Sequence, residues 1–211
     1  SYSYQTNSLE PYGMLFVHEP TGELRFMTRP HNNTPSALIL SSGTPVSDNR
    51  WYHAAVTKVG NTYSLYLNGV LIDQQVKTWN PTDLFDRTML TIGGAGTNNG
   101  SPFIASFFNG KIEEVRVWSR GRSAEEVRES MHLTLNGCET GLEVYYQFNE
   151  SSGATQLPDL SGNSNNATLI SMDPTTDWLA STVNTGHDTG QASNSQTINN
   201  IPAGTSTQNF A

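Results

Sequence analysis

The stretch "WYHAAVTKVGNTYSLYLNGVLIDQQ", residues 51–75, limits what this chain can fold into more than any other. Tyr52, Ala54 and Val56 alternate with His53, Ala55 and Thr57 before "VGN" turns the chain. Tyr63, Leu65 and Leu67 then alternate with Ser64, Tyr66 and Asn68. A period of two sends neighbouring side chains to opposite faces of a strand. Asn68-Gly69, ahead of "VLIDQQ", carries the positive-φ preference of a type I′ hairpin turn. The segment predicts a three-stranded meander with one apolar face.

The same signals recur along the chain. "GMLFVHEPTGELRFMTRP" (13–30) is two short apolar runs joined by "EPTG", whose Pro20 and Gly22 suit a hairpin turn. "TMLTIGGAG" (88–96) and "GKIEEVRVWSR" (110–120) read as two further strands, the second with a bulge at Glu113-Glu114. "LEVYYQF" (142–148) and "ATLI" (167–170) are strand patterns again. Only "SAEEVRESMHL" (123–133) predicts a helix. Ser123 can cap it with Glu126 three residues on, and Val127 and Met131 share a face. Many short strands separated by turn signals imply an all-β antiparallel sandwich or jelly roll with one short helix. The domain spans 1–180. Residues 181–211, with almost no charge and few apolar anchors, read as a tail or linker and a candidate exchanged strand.

Composition narrows the partners. Charged residues are 14% of the chain, against roughly a quarter in an average globular domain. The formal net charge is −8 and no Lys/Arg cluster occurs, which argues against nucleic acid and anionic membrane surfaces as partners. Cations fit better as small ligands. No apolar run approaches the about 18 residues of a membrane span, so no membrane insertion is expected. Cys138 is the single cysteine, can form no intrachain disulfide, and reads as a half-buried spectator.

In order, "WYHAAVTKVGNTYSLYLNGVLI", "LTIGG", "FFNGKIEEVRVWSRGRSAEEV" and "GLEVYYQFNESSGATQLPDLSGNSNNATL" resemble the laminin-G-like and pentraxin-like jelly rolls of the concanavalin A-like lectin/glucanase superfamily. The resemblance runs from about residue 1 to about 180. It implies the fold, but the superfamily serves sugars, proteins and assembly alike. Such domains carry two further strands before the segment resembling "SYSYQTN". This implies strands supplied upstream or from elsewhere, with "NSQTINNIPAG" in the tail as a candidate donor, running extended around "TINNIP" (197–202). Leu15 and Phe16 are the core residues such missing strands would leave under-covered.

The chemistry points away from catalysis. The superfamily's glucanases place a nucleophile and an acid on one strand as E-x-D-x-x-E, and that pattern is absent here. Glu113-Glu114 reads as a bulge with a surface ion pair to Arg116, and His53 as a packed or rim histidine. "DLSGNSNNA" (159–167) sets Asp159, Ser161, Asn163 and Asn165 at every second position, the spacing by which calcium loops wrap a cation. Three readings stay open for it: an Asx-rich turn around Gly162, a structural Ca²⁺ site completed by Glu150, Asp173 or backbone carbonyls, and direct sugar contact.

Sugar binding needs an aromatic platform beside planar polar groups. Trp79 with Asn80 and Asp83, and Asn98 and Asn99 with Phe103, supply that pattern in two loops, whereas Trp51 and Trp118 sit in strand patterns and read as core. The sequence therefore predicts a non-enzymatic, secreted or cell-surface module binding a glycan or a surface protein, calcium-assisted in one version. Two other roles fit the same residues: a filament or surface-layer subunit pairing with copies of itself through edge strands, and a lectin-like appendage of a larger secreted hydrolase.

Overall fold

A computed structural model describes residues 12–18, 21–29, 38–46, 49–78, 90–96, 104–105, 108–179 and 186–187. β1 (Tyr12–His18) and β2 (Glu23–Arg29) form the hairpin expected of "EPTG", and β3 (Leu38–Pro45) pairs with the other edge of β2. The meander follows as β4 (Ala54–Val59), β5 (Thr62–Leu67) and β6 (Val70–Val76), in continuous antiparallel order. Asn68 (φ 50°) and Gly69 (φ 74°) give the turn between β5 and β6 the left-handed backbone that a type I′ geometry requires. Gly69 is also needed for packing: a Cβ there would lie 3.0 Å from Met131 Sδ and 3.3 Å from Arg128 Cβ.

One expectation for the meander changes. Both faces of β5 are covered, not one. Tyr63 and Leu65 join Phe26, Leu38 and Leu40 in a single core, with Val56 and Ile72 packed against it. On the opposite face Ser64 and Tyr66 are buried as well. In the ladder Leu65 stands opposite Asp73 and Tyr66 opposite Leu71, so Ile72 is the extra residue of a bulge.

The two three-stranded sheets are joined by side chains. Asp73 and Gln75 stand opposite Leu65 and Tyr63, and therefore on the face that carries the core. Asp73 Oδ2 accepts the Ser41 N–H at 3.0 Å, and Gln75 Nε2 donates to the Ile39 carbonyl at 2.6 Å. The outer edge of β3 thus ends on a carboxylate and an amide.

Four expected strands are shorter than their patterns: 142–148 is strand only over Leu142–Tyr146 and 167–170 only over Ala167–Thr168, and two others shorten for visible reasons. Of 88–96, residues 88 and 89 lie outside the described residues, and only β7 (Ala95–Gly96) is strand, paired with β8 (Ile104–Ala105). Gly93 at φ 76°, followed by Gly94, breaks the extended run before it. Of 110–120 only β9 (Val115–Trp118) is strand, because Glu114 takes φ 56° immediately ahead of it.

The expected helix is α1 (Ala124–Ser130), with Ser123 as its cap and the capping box closed by Glu126. β10 (Leu133–Thr134) follows. β11 (Leu142–Tyr146) runs antiparallel to β9, and β12 (Gln156–Leu157) pairs with β13 (Ala167–Thr168). Beneath β9 and β11 lies a second core of Leu135, Leu142 and Tyr145, with Trp118 against it. Past residue 180, β14 (Gly186–His187) forms a short parallel bridge with β10. The "TINNIP" expectation, and the side chains of Leu15 and Phe16, lie outside the described residues. The architecture is an all-β sandwich built mainly of antiparallel strands, with α1 the one helix among the described residues. No described helix is long and apolar enough to cross a membrane.

Candidate functional site

The loop 159–166 lies along the edge of β11 that faces away from β9. Asp159 is its buried anchor, 9% exposed. Its Oδ1 accepts the N–H groups of Tyr145 (2.9 Å) and Ser161 (3.0 Å), and its Oδ2 accepts the N–H of Asn165 (2.9 Å). The Ser161 hydroxyl lies within reach of both Asp159 Oδ2 (2.9 Å) and the Glu143 carbonyl (3.0 Å). Burial pushes the Asp159 carboxyl upward, but the N–H groups of Ser161, Tyr145 and Asn165 outweigh it and hold the group below the usual aspartate range.

The asparagines work in the opposite sense. Asn163 Nδ2 donates to the carbonyls of Leu142 (3.0 Å) and Glu143 (3.2 Å), and Asn165 Nδ2 donates to Glu143 (3.0 Å). The Leu160 N–H meets the Tyr145 carbonyl at 2.8 Å. The four residues at alternate positions are therefore brought together, as the spacing predicts, but around a strand edge. Three N–H groups already point at the Asp159 carboxylate, and the two asparagines present nitrogen to backbone carbonyls. A hard cation would need oxygens at those places. Among the described residues no three His, Cys, Asp or Glu side chains converge. Asn166, whose Oδ1 takes the Asp159 N–H at 2.9 Å, is a member of the loop that the spacing argument missed.

Behind β11 lies a second polar cluster. Tyr145 is fully buried, and its hydroxyl donates to Glu114 (2.9 Å to Oε2) while accepting from the Leu135 N–H (3.1 Å) and Gln147 Nε2 (2.9 Å). One proton and two lone pairs are all engaged. Arg116 pairs with Glu114 at 2.6 Å, donates to the carbonyls of Ser130 and Leu133, and lies 5.5 Å from the Tyr145 ring centroid. The expected surface ion pair is instead half-buried: the Arg116 and Glu114 side chains are 9% and 14% exposed. Burial is also the main reason His53 is pushed down to about 4, with the charges of Arg116 and His132 acting in the same direction. His53 is half-buried, as a rim histidine should be.

Glu114 is thus committed to Tyr145 and Arg116, and Asp159 to backbone. The proposed sugar-contacting residues Trp79, Asn80, Asp83, Asn98, Asn99 and Phe103 lie outside the described residues. The strands flanking residues 97–103 pair as Ala95↔Ala105 and Gly96↔Ile104. Trp51 is exposed rather than core, whereas Trp118 is half-buried with the Arg122 guanidinium 4.0 Å above its ring. Cys138 is exposed, not half-buried.

Among curated proteins none matches the chain. A solved structure from Bacteroides ovatus ATCC 8483, of a protein assigned to carbohydrate binding by inference, is similar with a TM-score of 0.51 and 26% identity. That likeness covers 71% of this chain, which spans 40% of the other. An S-layer domain-containing protein (residues 221–444) of Clostridium thermocellum ATCC 27405 is 21% identical at a TM-score of 0.36, covering 62% of this chain and 67% of that one, too slight a likeness to carry an argument. A laminin-G-type family model matches residues 2–128, more than half of the chain. The protein belongs to the concanavalin A-like lectin/glucanases superfamily.

Proposed function

We propose that the chain is a non-catalytic recognition module that binds glycans outside the cell or at its surface. The observation that carries this reading is membership of a lectin-like superfamily, joined to a 26% identical structural neighbour assigned to carbohydrate binding. The engagement of Glu114 and Asp159 in internal hydrogen bonds supports the absence of hydrolysis. The proposed contact surface is the loop after β6, with Trp79, Asn80 and Asp83, together with the β7–β8 loop, with Asn98, Asn99 and Phe103. An aromatic face beside planar amides suits a sugar ring.

The test is a panel of polysaccharides and a glycan array, read with and without added Ca²⁺. Binding to at least one glycan is expected, with Trp79→Ala or Phe103→Ala weakening it about tenfold or more, roughly 1.4 kcal/mol. A folded chain that binds no glycan overturns the reading. Release of reducing sugar from laminarin, agarose, xylan or carrageenan, abolished by Glu114→Gln, overturns its non-catalytic half.

A further inference from the structure

The β3 and β11 edges are closed by one device. On β3 a carboxylate takes the N–H of Ser41 and a primary amide donates to the C=O of Ile39, two residues earlier. On β11 a carboxylate takes the N–H of Tyr145 and two primary amides donate to the C=O of Glu143, again two residues earlier. An N–H and the C=O two residues before it are the groups an edge strand offers to an antiparallel neighbour. We infer that the 159–166 loop is a strand surrogate, and that the surface it covers on β11 is a self-complementary pairing edge for a second copy of this chain.

The pairing geometry follows from the same two groups. Place two β11 edges antiparallel with Val144 opposite its own copy. The Tyr145 N–H of each then meets the Glu143 carbonyl of the other, closing a two-fold pair. Asp159 Oδ1 now stands where the other copy's carbonyl would come, and the Asn163 and Asn165 amides stand where its N–H would come. An uncovered edge of this kind is a site of strand addition. The β3 edge differs because β6 itself carries the capping residues, so the cap cannot leave without its strand. The β11 cap is a loop and can.

The experiment uses the 211-residue chain. Asp159→Ala uncovers the Tyr145 N–H, and Asn163→Asp with Asn165→Asp, at exposed positions, turns both donors into acceptors against Glu143. Asp173→Ala is the control, because Asp173 is exposed and bonds to Thr175 and Asp177 within its own turn. Sedimentation velocity at high salt, across a wide concentration range, should show both test variants shifting toward dimer while wild type and control do not. The Tyr145 amide should exchange at least about tenfold faster than wild type in dilute variant and regain protection on concentration. If Asp159→Ala fails to fold, the isosteric asparagine pair decides alone. A folded variant that sediments like wild type at every concentration, with Tyr145 unprotected throughout, overturns the inference.

Discussion

The edges of β3 and β11 solve the same problem with unequal means. Asp73 and Gln75 are half-buried residues of a neighbouring strand, and each makes a hydrogen bond to β3. Asp159 is buried, and it organises a loop in which Ser161, Asn163, Asn165 and the Leu160 N–H all meet β11. The comparison teaches that the cost of losing a cap follows its burial more than its chemistry. An exposed backbone group that loses its partner turns to water, whereas a buried one is left unpaired.

The largest expected effect tests how tightly the β11 side is built. Gly137 sits at φ 84°, and a Cβ there would lie 1.8 Å from the Leu160 carbonyl. Gly137→Ala should cost about 4 kcal/mol or prevent folding. Gly43→Ala in β3, at φ 66° with nothing within 4 Å, should cost only about 1 kcal/mol. Chemical denaturation with unchanged m-values checks both, and equal losses would erase the contrast between the two edges.

Next come the capping carboxylates. Asp159→Ala should destabilise by about 3 kcal/mol, since a charged acceptor is lost and buried N–H groups are orphaned. Asp73→Ala should cost about 1 kcal/mol. The reverse order in urea midpoints would show that burial does not set the scale.

The pH profile separates the cap from His53, the histidine just ahead of β4. His53 is lowered from 6.5 to about 4, so between those values the unfolded chain takes up a proton that the folded chain refuses. Its contribution is complete above pH 6.5 and is lost as pH falls toward 4, by about 2 kcal/mol after allowance for its partial exposure. Asp159 is lowered from 3.8, so its contribution persists down to that value and disappears only below it. Glu126, brought to about 2 first by Arg120 and then by the Ser123 N–H, behaves like Asp159 from 4.5 downward. His53→Gln should flatten the upper slope and leave the lower one. A wild-type curve flat from pH 7 to 4 would remove the His53 account.

The smallest effect concerns cations. If the Asp159 oxygens are satisfied by backbone N–H groups, melting curves in EDTA and in millimolar Ca²⁺ should coincide within about 1 °C. A ligand bound only by the native state would separate them by mass action. A clear rise with Ca²⁺ would return the loop to the cation-binding alternative.

Much of the frame is legible in the chain because it depends on local rules. Alternation and Asn68-Gly69 give the meander, and Ser123 with Glu126 gives the helix start. What local rules do not carry is what lies across each face. The burial of Ser64 and Tyr66 on the second face of β5 is not written in its alternation, and the Glu114–Arg116 pair meets Ser130, Leu133 and Tyr145, which are distant in sequence. The loop shows the limit most clearly. Oxygen-bearing residues at every second position satisfy a calcium pattern and a strand-edge pattern equally, because residues two apart in a strand also repeat along one edge. Only the structure shows the amides turned nitrogen-first toward Glu143. The 88–96 and 110–120 patterns outrun their strands for a simpler reason. Gly93 and Glu114 take left-handed backbone that an apolar pattern does not register.

The exposure of Cys138 has a practical consequence. It is the one thiol in the sequence, and it sits next to Gly137, where the backbone of Leu160 comes closest. A fluorophore or spin label attached there without any mutagenesis would go to a single place, one residue from where Gly137 meets the Leu160 backbone. A label at that position would report on the surroundings of the 159–166 loop in the wild-type chain and in the Asp159 and asparagine variants alike.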